Sequence, residues 1–306
     1  MMELAHNPIR GYILPKKSNP EAAMSNTQIT FTTPTPIVPF LKWAGGKRWL
    51  SSLIQEQIGS ISGRYIEPFL GSGAVFFRLT PSSALLNDAN RDLIDTYKAI
   101  QQDHSLVVKH LTNHHRQHSK DYYYQMRSYA PRCPFRRAAR FIYLNRTCWN
   151  GLYRVNRSGA FNVPIGTKSA VLLSSDNWSQ VSATLQKAQL FSGDFEPIID
   201  QAQKGDLIFA DPPYTVKHNH NGFIKYNEAL FSWEDQERLS AALLRAHERG
   251  ARIIATNADH KSVHDLYKST FKLFTVERSS VLSGDPKYRG QYKELLVVSG
   301  QFSTNS

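Results

Sequence analysis

The sequence predicts an α/β fold: a Rossmann-like, doubly wound, mostly parallel sheet with an antiparallel C-terminal hairpin and an inserted, mainly helical domain. Short apolar runs alternate with stretches of helical periodicity, which is the pattern of parallel strands joined by helices. The last two runs are joined by a Gly/Asp/Pro-rich loop without a helix, which predicts an antiparallel pair. Between residues 101 and 168, His, Arg, Tyr and Asn dominate and no alternating apolar strand occurs, which predicts the insertion.

The individual elements follow in chain order. Residues 1–36 have no periodicity and predict a disordered extension. The apolar runs that predict strands are 65–69, 84–87, 189–192, 206–210, 251–257, 271–277 and 292–299. Helical spacing marks 47–58, 91–101 and 233–249, and the last of these has an N-cap residue, Ser232, and a stop, Gly250. The predicted sheet domain is therefore discontinuous, with residues 37–100 and 169–302 on either side of the insertion.

The composition narrows the class of partner. The 306 residues include 37 Lys and Arg against 25 Asp and Glu, a net charge of +12, which indicates a polyanionic partner. No apolar run is long enough to span a bilayer, and the N-terminal residues lack the apolar core of a signal peptide. We therefore expect a cytoplasmic protein that binds nucleic acid and no membrane. Cys133 and Cys148 lack CxxC spacing, so we expect reduced thiols and neither zinc nor a disulfide.

The segment Asp211-Pro212-Pro213-Tyr214 is the most informative motif, because it follows the apolar run 207–210. It offers a carboxylate, proline carbonyls and an aromatic ring at the edge where open α/β sheets bind ligands. An exocyclic amino group on a planar base needs acceptors for its hydrogens and a stacking partner for its ring. The alternative is a rigid exit loop that Asp211 caps.

A second motif, Glu67-Pro68-Phe69-Leu70-Gly71-Ser72-Gly73, ends the first predicted strand. Its glycines allow backbone to approach a ligand closely, although a generic strand–helix turn has the same composition. Without Gly-Lys-Ser/Thr and with a carboxylate at Glu67, the motif excludes a phosphate-binding P-loop and favours a ligand with a cationic group. Asp88, at the tip of the next strand, suits ribose hydroxyls, while Asp88 or Asn90 could instead cap the following helix.

Two further regions carry candidate binding residues. The loop from Phe40 to Lys47 combines Trp43, a diglycine and a lysine that could reach a carboxylate. The stretch 141–166 interleaves aromatic residues with possible base-reading side chains, namely Arg146, Arg154, Arg157, Asn145, Asn150, Asn156 and Asn162. The alternative for each arginine is a solvated basic surface.

Histidines with i,i+4 spacing lie in the predicted helical insertion: His104, His110, His114, His115 and His118. No carboxylate or cysteine completes a metal-ligand set around them. We therefore expect no metal site and interpret these residues as a polar helical face near nucleic-acid phosphates.

Taken together and in this order, the motifs resemble the DNA adenine-N6 methyltransferases of the Dam type, the α group. The similarity runs from about Phe40 to Ser299 and covers the 40–47 loop, the glycine motif, Asp88, the stretch 144–164 and the Asp211–Tyr214 motif. It implies that 37–100 and 169–302 form the catalytic domain and 101–168 the DNA target-recognition domain. It also implies S-adenosylmethionine as methyl donor and double-stranded DNA as partner.

The resemblance assigns roles to individual positions. The catalytic residues are Asp211, Pro212 and Tyr214. The cofactor-binding residues are Trp43, Lys47, Glu67, Phe69, Gly71, Asp88, Asp194, Phe195 and Asp211. The DNA-contacting residues are Lys42, Asn150, Leu152, Arg154 and Pro164, with Arg154 matching an arginine that reads guanine. Trp149 stands where enteric enzymes carry an intercalating tyrosine, and the residue pattern adds Asn156 to this set.

The predicted reaction is methylation of adenine N6 in a flipped base of duplex DNA, within GATC or a related short palindrome. Cytosine-N4 methylation of DNA and RNA base methylation are alternatives that the motif order disfavours. A non-catalytic DNA-binding relative would lack the cofactor positions, which are intact here. We expect a monomer in solution and leave open a functional restriction endonuclease partner.

Overall fold

The computed structural model describes residues 36–156, 159–216, 231–279 and 291–300. The disordered extension predicted over 1–36 lies outside the described residues, apart from residue 36. The strands are β1 (Tyr65–Glu67), β2 (Ala84–Asp88), β3 (Ala188–Ser192), β4 (Leu207–Ala210), β5 (Arg252–Ala258), β6 (Lys272–Ser279) and β7 (Gln291–Val298). Each overlaps a run predicted from sequence.

The strands form one seven-stranded sheet in the order β3-β2-β1-β4-β5-β7-β6. The pairs among β1 to β5 are parallel, whereas β7 is antiparallel to both β5 and β6. This confirms a mostly parallel sheet with antiparallel C-terminal strands. The chain runs outward from β1 to β3 on one side and from β4 onward on the other. The switch point, where such sheets bind ligands, therefore lies between β1 and β4.

The helices of the described residues are α1 (Arg48–Ile58), α2 (Ala74–Leu79), α3 (Arg91–Gln117), α4 (Lys120–Ser128), α5 (Pro134–Thr147), α6 (Trp178–Leu185), α7 (Glu196–Ile199), α8 (Trp233–Glu248) and α9 (Lys261–Tyr267). As predicted, Ser232 is the N-cap of α8, and its side chain and that of Asp235 exchange hydrogen bonds with each other's backbone N–H. No helix in these parts of the chain is both long and apolar enough to cross a bilayer.

Two apolar layers cover the sheet, because successive strand residues point to opposite faces. Tyr65 and Leu86 face a core shared with α1 to α6, while Ile66 and Leu85 face a core shared with α7 to α9. All four side chains are at most 1% exposed. Burial on both faces explains why the parallel strands read as continuous apolar runs rather than as an alternating pattern.

The boundary predicted between residues 100 and 101 falls inside α3. This helix is kinked at Asp103, which has non-helical backbone angles (φ −157°, ψ 92°). The Asp103 carboxylate accepts the backbone N–H groups of Ser105 and Leu106 at 2.9 and 3.1 Å. Asp103 therefore acts as an internal N-cap that starts the second half of the helix.

Candidate functional site

The turns that follow β1 and β2 are joined by hydrogen bonds. Gly71 and Asn90 donate their backbone N–H groups to the two carboxylate oxygens of Asp88, each at 2.9 Å. Asn90 is the N-cap of α3, since its side chain accepts the N–H of Leu93. Of the two capping candidates, Asn90 therefore caps the helix, and Asp88 fixes the glycine turn. Gly71 has φ +49°, and a Cβ atom there would lie 2.8 Å from Cδ1 of Trp43.

The turn after β3 is held at the same edge. The side-chain amide of Asn87 donates to the carbonyls of Pro68 and Gly193 at 3.1 and 3.2 Å. The rings of Phe69 and Phe195 lie with centroids 5.3 Å apart. Aromatic surface and backbone from three neighbouring strands therefore converge on one region.

Arg238 of α8 holds the segment Asp194–Phe195 from outside. Its guanidinium donates to Asp194 at 2.9 Å, to Glu196 at 2.8 Å and to Asp235 at 2.9 Å. The same group lies 4.9 Å from the centroid of the Phe195 ring. One cation therefore orients both the acid and the aromatic ring that the sequence assigned to cofactor binding.

Glu67 is buried beneath the glycine turn, with 2% of its surface exposed. Its carboxylate accepts a hydrogen bond of 2.9 Å from the hydroxyl of Tyr65. Burial raises the pKa of Glu67 well above its usual range, and the Asp211 carboxylate adds to this rise. A cationic group bound nearby would lower that pKa again, because it favours the charged form.

Asp211, directly after β4, is oriented by one hydroxyl side chain and one buried cation. Oδ1 of Asp211 accepts from the hydroxyl of Thr256 at 2.6 Å and lies 2.9 Å from Nζ of Lys47. Lys47, only 3% exposed, also donates to the carbonyl of Gly45 at 2.8 Å and lies 3.5 Å from Glu294. The expectation that Lys47 reaches a carboxylate is confirmed.

Tyr214 lies beside this cluster. Its hydroxyl donates to Oε2 of Glu294 at 2.8 Å, and Nζ of Lys47 lies 4.9 Å from its ring centroid. Burial raises the pKa of the Tyr214 hydroxyl, which keeps it protonated as the donor. Pro212 is buried, and the carbonyl of Pro213 accepts from the side chain of Gln236 at 3.3 Å.

The basic stretch 141–166 divides into a buried part and an exposed part. Arg146 is 2% exposed and forms a two-point ion pair with Asp176 at 2.6 and 2.7 Å. It also donates to the carbonyls of Phe40 and Val171. Arg146 is therefore neither of the two alternatives, a base-reading side chain or a solvated basic surface, because all of its donors are directed into the protein.

Asn145 is also buried, at 1% exposure, so its predicted base-reading role is wrong. Its side chain exchanges hydrogen bonds with the backbone N–H and carbonyl of Lys42 and donates to the carbonyl of Gly151. Gly151 has φ +67°, and a Cβ atom there would lie 2.7 Å from Cβ of Lys42. Asn145 therefore holds the backbone of Lys42 against the segment around Gly151. A small cavity beside them, of about 110 Å³, is lined by Lys42, Cys148, Trp149, Asn150, Thr167 and Lys168.

The exposed part contains most of the predicted DNA contacts. Trp149 is 53% exposed and Leu152 is 36% exposed. Arg154 is exposed, and its Nε donates to the side chain of Asn162 at 2.9 Å. Arg157, another candidate, lies outside the described residues.

The remaining predicted DNA contacts lie on the loop, and their backbone angles and hydrogen bonds also fix its shape. Asn150, exposed, has φ +54°, a left-handed conformation that asparagine tolerates better than most residues. The side-chain oxygen of Asn156 accepts from the N–H of Ala160 at 2.9 Å. The carbonyl of Pro164 accepts from the N–H of Trp149 at 2.9 Å, which closes the base of the loop.

Two of the histidines lie in an aromatic cluster rather than on a polar face. His114 is stacked on Tyr143 with centroids 4.9 Å apart, and its Nδ1 lies 2.8 Å from the Tyr122 hydroxyl. His118 lies 2.9 Å from the Tyr143 hydroxyl. The prediction of a polar helical face near nucleic-acid phosphates is therefore wrong for His114, which is buried, while His118 is half-buried against Tyr143. Among the described residues, no group of His, Cys, Asp and Glu has the arrangement of a metal site.

Comparison with known proteins identifies the family. Residues 43–282 match the model of the D12 class N6 adenine-specific DNA methyltransferase. The chain belongs to this family. A type II methyltransferase of Lactococcus lactis subsp. cremoris is 35% identical over 269 residues, covering 85% of this chain and 94% of the relative. A type II methyltransferase of Methanocaldococcus jannaschii is 33% identical over 287 residues, with 86% and 99% covered. A DNA adenine methylase of Haemophilus influenzae is 33% identical over 270 residues, with 86% and 93% covered.

This membership confirms the resemblance to Dam-type enzymes and the prediction of an adenine-specific DNA methyltransferase. The reaction class requires a methyl donor and DNA. The methyltransferase also contains residues to which motif analysis assigned no role, namely Thr256 and Glu294 beside Asp211 and Tyr214, and Arg238 beside Asp194. The available signal was a polar side chain next to buried apolar residues of a strand, as for Thr256 after Ala255 in β5 and Glu294 before Leu295 in β7.

Proposed function

We propose that this methyltransferase transfers a methyl group from S-adenosylmethionine to N6 of an adenine flipped out of duplex DNA, within GATC or a related short palindrome. The observation that carries the proposal is the pairing of an oriented carboxylate, Asp211, with an aromatic ring, Tyr214, at the switch point of the sheet. The site residues and the division into catalytic (37–100, 169–302) and target-recognition (101–168) domains are part of this proposal.

The edge formed by β1, β2 and β3 fits the proposed methyl donor. Each oxygen of Asp88 accepts one backbone N–H and, as a carboxylate oxygen, keeps capacity for a ribose hydroxyl. Phe69 and Phe195 supply aromatic surface for an adenine ring, and Glu67 suits an ammonium group. Gly71 lets backbone and the Trp43 ring approach closely. S-adenosylmethionine, when bound, supplies an electrophilic methyl group on a sulfonium centre.

The Asp211 and Tyr214 side chains would hold the target base. Asp211 and the Pro212 carbonyl accept the two hydrogens of the N6 amino group, which draws the nitrogen lone pair out of conjugation with the ring. As the N–CH₃ bond formed and the sulfonium gave up its methyl group, Asp211 would stabilise the positive charge that develops on N6. The methylated nitrogen would then release one proton to water. Stacking on Tyr214 contributes roughly 1–3 kcal/mol, which offsets the few kcal/mol that base flipping costs. Thr256 and Lys47 keep the carboxylate in place, so that positioning supplies much of the rate.

The exposed part of the basic stretch 141–166 would contact the bases and open the duplex. Arg154 donating to guanine gives about 1–3 kcal/mol of discrimination. Trp149, more than half exposed, is available to wedge between base pairs. Lys42, Asn150, Leu152, Asn156 and Pro164 complete this surface. The net charge of +12 provides the general attraction to phosphates.

Substitution of Asp211 tests the proposal. Asp211→Ala should abolish transfer of a tritiated methyl group while leaving DNA binding largely intact. Asp200→Ala, which removes a half-exposed carboxylate paired with Arg245, is the matched control and should retain activity. Retained turnover in Asp211→Ala would overturn the assignment.

The site specificity needs a separate experiment. Methylome sequencing of a host that expresses the enzyme should place N6-methyladenine in GATC or a short palindrome, and methylation without a fixed motif would contradict the specificity. The relatives include type II methyltransferases and DNA adenine methylases. Those names support both a restriction–modification role and a solitary role. A restriction endonuclease partner and a monomeric state stay predictions.

A further inference from the structure

Glu294 is a carboxylate where an apolar residue would be expected. It lies in β7 opposite Ala258 of β5, and 7% of it is exposed. The residues after it in the strand, Leu295 to Val298, are buried and apolar. Burying a carboxylate costs free energy unless it is paired and hydrogen-bonded. The contacts of Glu294 therefore indicate why it is there.

Those contacts reach both halves of the candidate site. Oε2 of Glu294 accepts from the Tyr214 hydroxyl at 2.8 Å and lies 3.5 Å from Nζ of Lys47. Lys47 in turn lies 2.9 Å from Asp211. Glu294 is thus linked directly to Tyr214. Through Lys47 it is also linked to Asp211.

We propose that Glu294 is a positioning residue for methyl transfer: it fixes the plane of the Tyr214 ring and shares the Lys47 ammonium group with Asp211. The inference rests on the proposed function of Asp211 and Tyr214. In this role Glu294 touches no substrate itself and acts through Tyr214 and Lys47.

The charge arrangement gives the direction of the effect. Lys47 is the cation that Asp211 and Glu294 share, so the two carboxylates compete for it. A neutral residue at position 294 would leave the ammonium group to Asp211 alone. Asp211 would then be a weaker acceptor for an amino group. The Tyr214 hydroxyl would lose a charged acceptor, and its ring would be held less firmly.

The test compares Glu294→Gln, Tyr214→Phe and the double variant in the full-length enzyme. A charge-assisted hydrogen bond corresponds to roughly a ten- to hundredfold effect, so kcat should fall by about that factor in Glu294→Gln. The KM for S-adenosylmethionine should stay unchanged. The loss in the double variant should be smaller than the product of the two single losses, because both changes break one link.

Base flipping supplies a second measurement. A duplex that carries the mapped site with 2-aminopurine at the target position should give altered fluorescence with Glu294→Gln, since the ring that stacks on the base is less fixed. Glu277→Gln is the control, because Glu277 is a half-exposed acid of the same hairpin that lies 3.7 Å from Lys293. This control should match the wild type in kcat and fluorescence.

The outcomes separate this inference from the proposed function. Turnover in Asp211→Ala removes the proposed function itself. An inactive Asp211→Ala beside a wild-type kcat in Glu294→Gln overturns only the role of Glu294. A loss in the double variant that equals the product of the two single losses also overturns only the role of Glu294. Should Glu294→Gln not fold, Glu294→Asp takes its place in the same comparison: a double-variant loss smaller than the product of the single losses supports the link, and a fully multiplicative loss overturns it.

Discussion

The end of α5 and the loop that follows it share their residue types but differ in environment. Arg146, one residue before the end of α5, is buried and pairs with Asp176, whereas Arg154 lies on the exposed loop and donates to the side chain of Asn162. The difference is set by Asp176 and by carbonyls far along the chain, not by anything near either arginine. An arginine in a basic stretch is therefore available to contact a base only where the fold leaves its guanidinium exposed.

The largest expected effect is on the stability of the buried part. Arg146→Met should lower the free energy of unfolding by about 3–5 kcal/mol, because it leaves the Asp176 carboxylate buried without its cation. Urea unfolding measures this loss. The matched change Arg154→Met should shift stability by no more than about 0.5 kcal/mol. Similar small shifts in both variants would break the distinction between the two regions.

A second contrast of the same kind lies within α3, between buried His114 and exposed His115. Burial lowers the pKa of His114 from 6.5 to about 4. As the pH falls, His114 binds a proton in the unfolded state before it does so in the folded state. Its contribution to the free energy of unfolding is therefore fully present above pH 6.5 and is lost as the pH falls toward 4, by up to about 3 kcal/mol. His114→Gln should flatten the dependence of unfolding free energy on pH over this window. His115→Gln controls for the loss of an exposed imidazole from the same helix. A slope in His114→Gln equal to that of the wild type would contradict the assignment.

The exposed part should show an effect on specificity without one on stability. We compare kcat/KM for the cognate site with kcat/KM for a site in which the guanine is replaced by another base. Arg154→Ala should reduce the ratio of these two values about ten- to hundredfold. Methylation of paired oligonucleotides measures this ratio. Arg132→Ala, at another exposed arginine outside the loop, should keep the ratio. An unchanged ratio in Arg154→Ala would assign Arg154 to general phosphate attraction.

The smallest expected effect concerns Arg238, which is 39% exposed yet touches the proposed cofactor pocket. Exposed ion pairs contribute about 0–1 kcal/mol, so Arg238→Ala should raise the KM for S-adenosylmethionine by no more than about fivefold. The KM for DNA should stay constant. Arg245→Ala is the control, since Arg245 pairs with Glu196 and Asp200. A larger effect on the KM for DNA than on that for the cofactor would contradict the placement of Asp194.

Sequence reasoning found the sheet because its parallel strands are buried on both faces and therefore read as apolar runs. It also placed the Asp211–Tyr214 motif at the correct edge, because a motif that directly follows a parallel strand lies at the carboxyl edge of the sheet. It misassigned Arg146 and Asn145, whose partners Asp176, Phe40 and Lys42 are distant in the chain. It missed the roles of Thr256 and Glu294 for the same reason. Each is a polar strand residue whose neighbours in the site are set by strand pairing, which one short stretch of sequence does not reveal.

The position of β7 has a consequence for the order in which the enzyme is completed. β7 follows β6 in the chain but lies between β5 and β6 in the sheet, and it carries Glu294. A growing chain contains Asp211, Tyr214 and Lys47 well before it contains their shared neighbour. Until β7 is synthesised, β6 also has no place in the sheet, because its hydrogen bonds are made to β7. The arrangement of Glu294, Lys47, Asp211 and Tyr214 is therefore completed only after β7 has been synthesised, and a nascent chain that still lacks β7 lacks both Glu294 and the partner strand of β6.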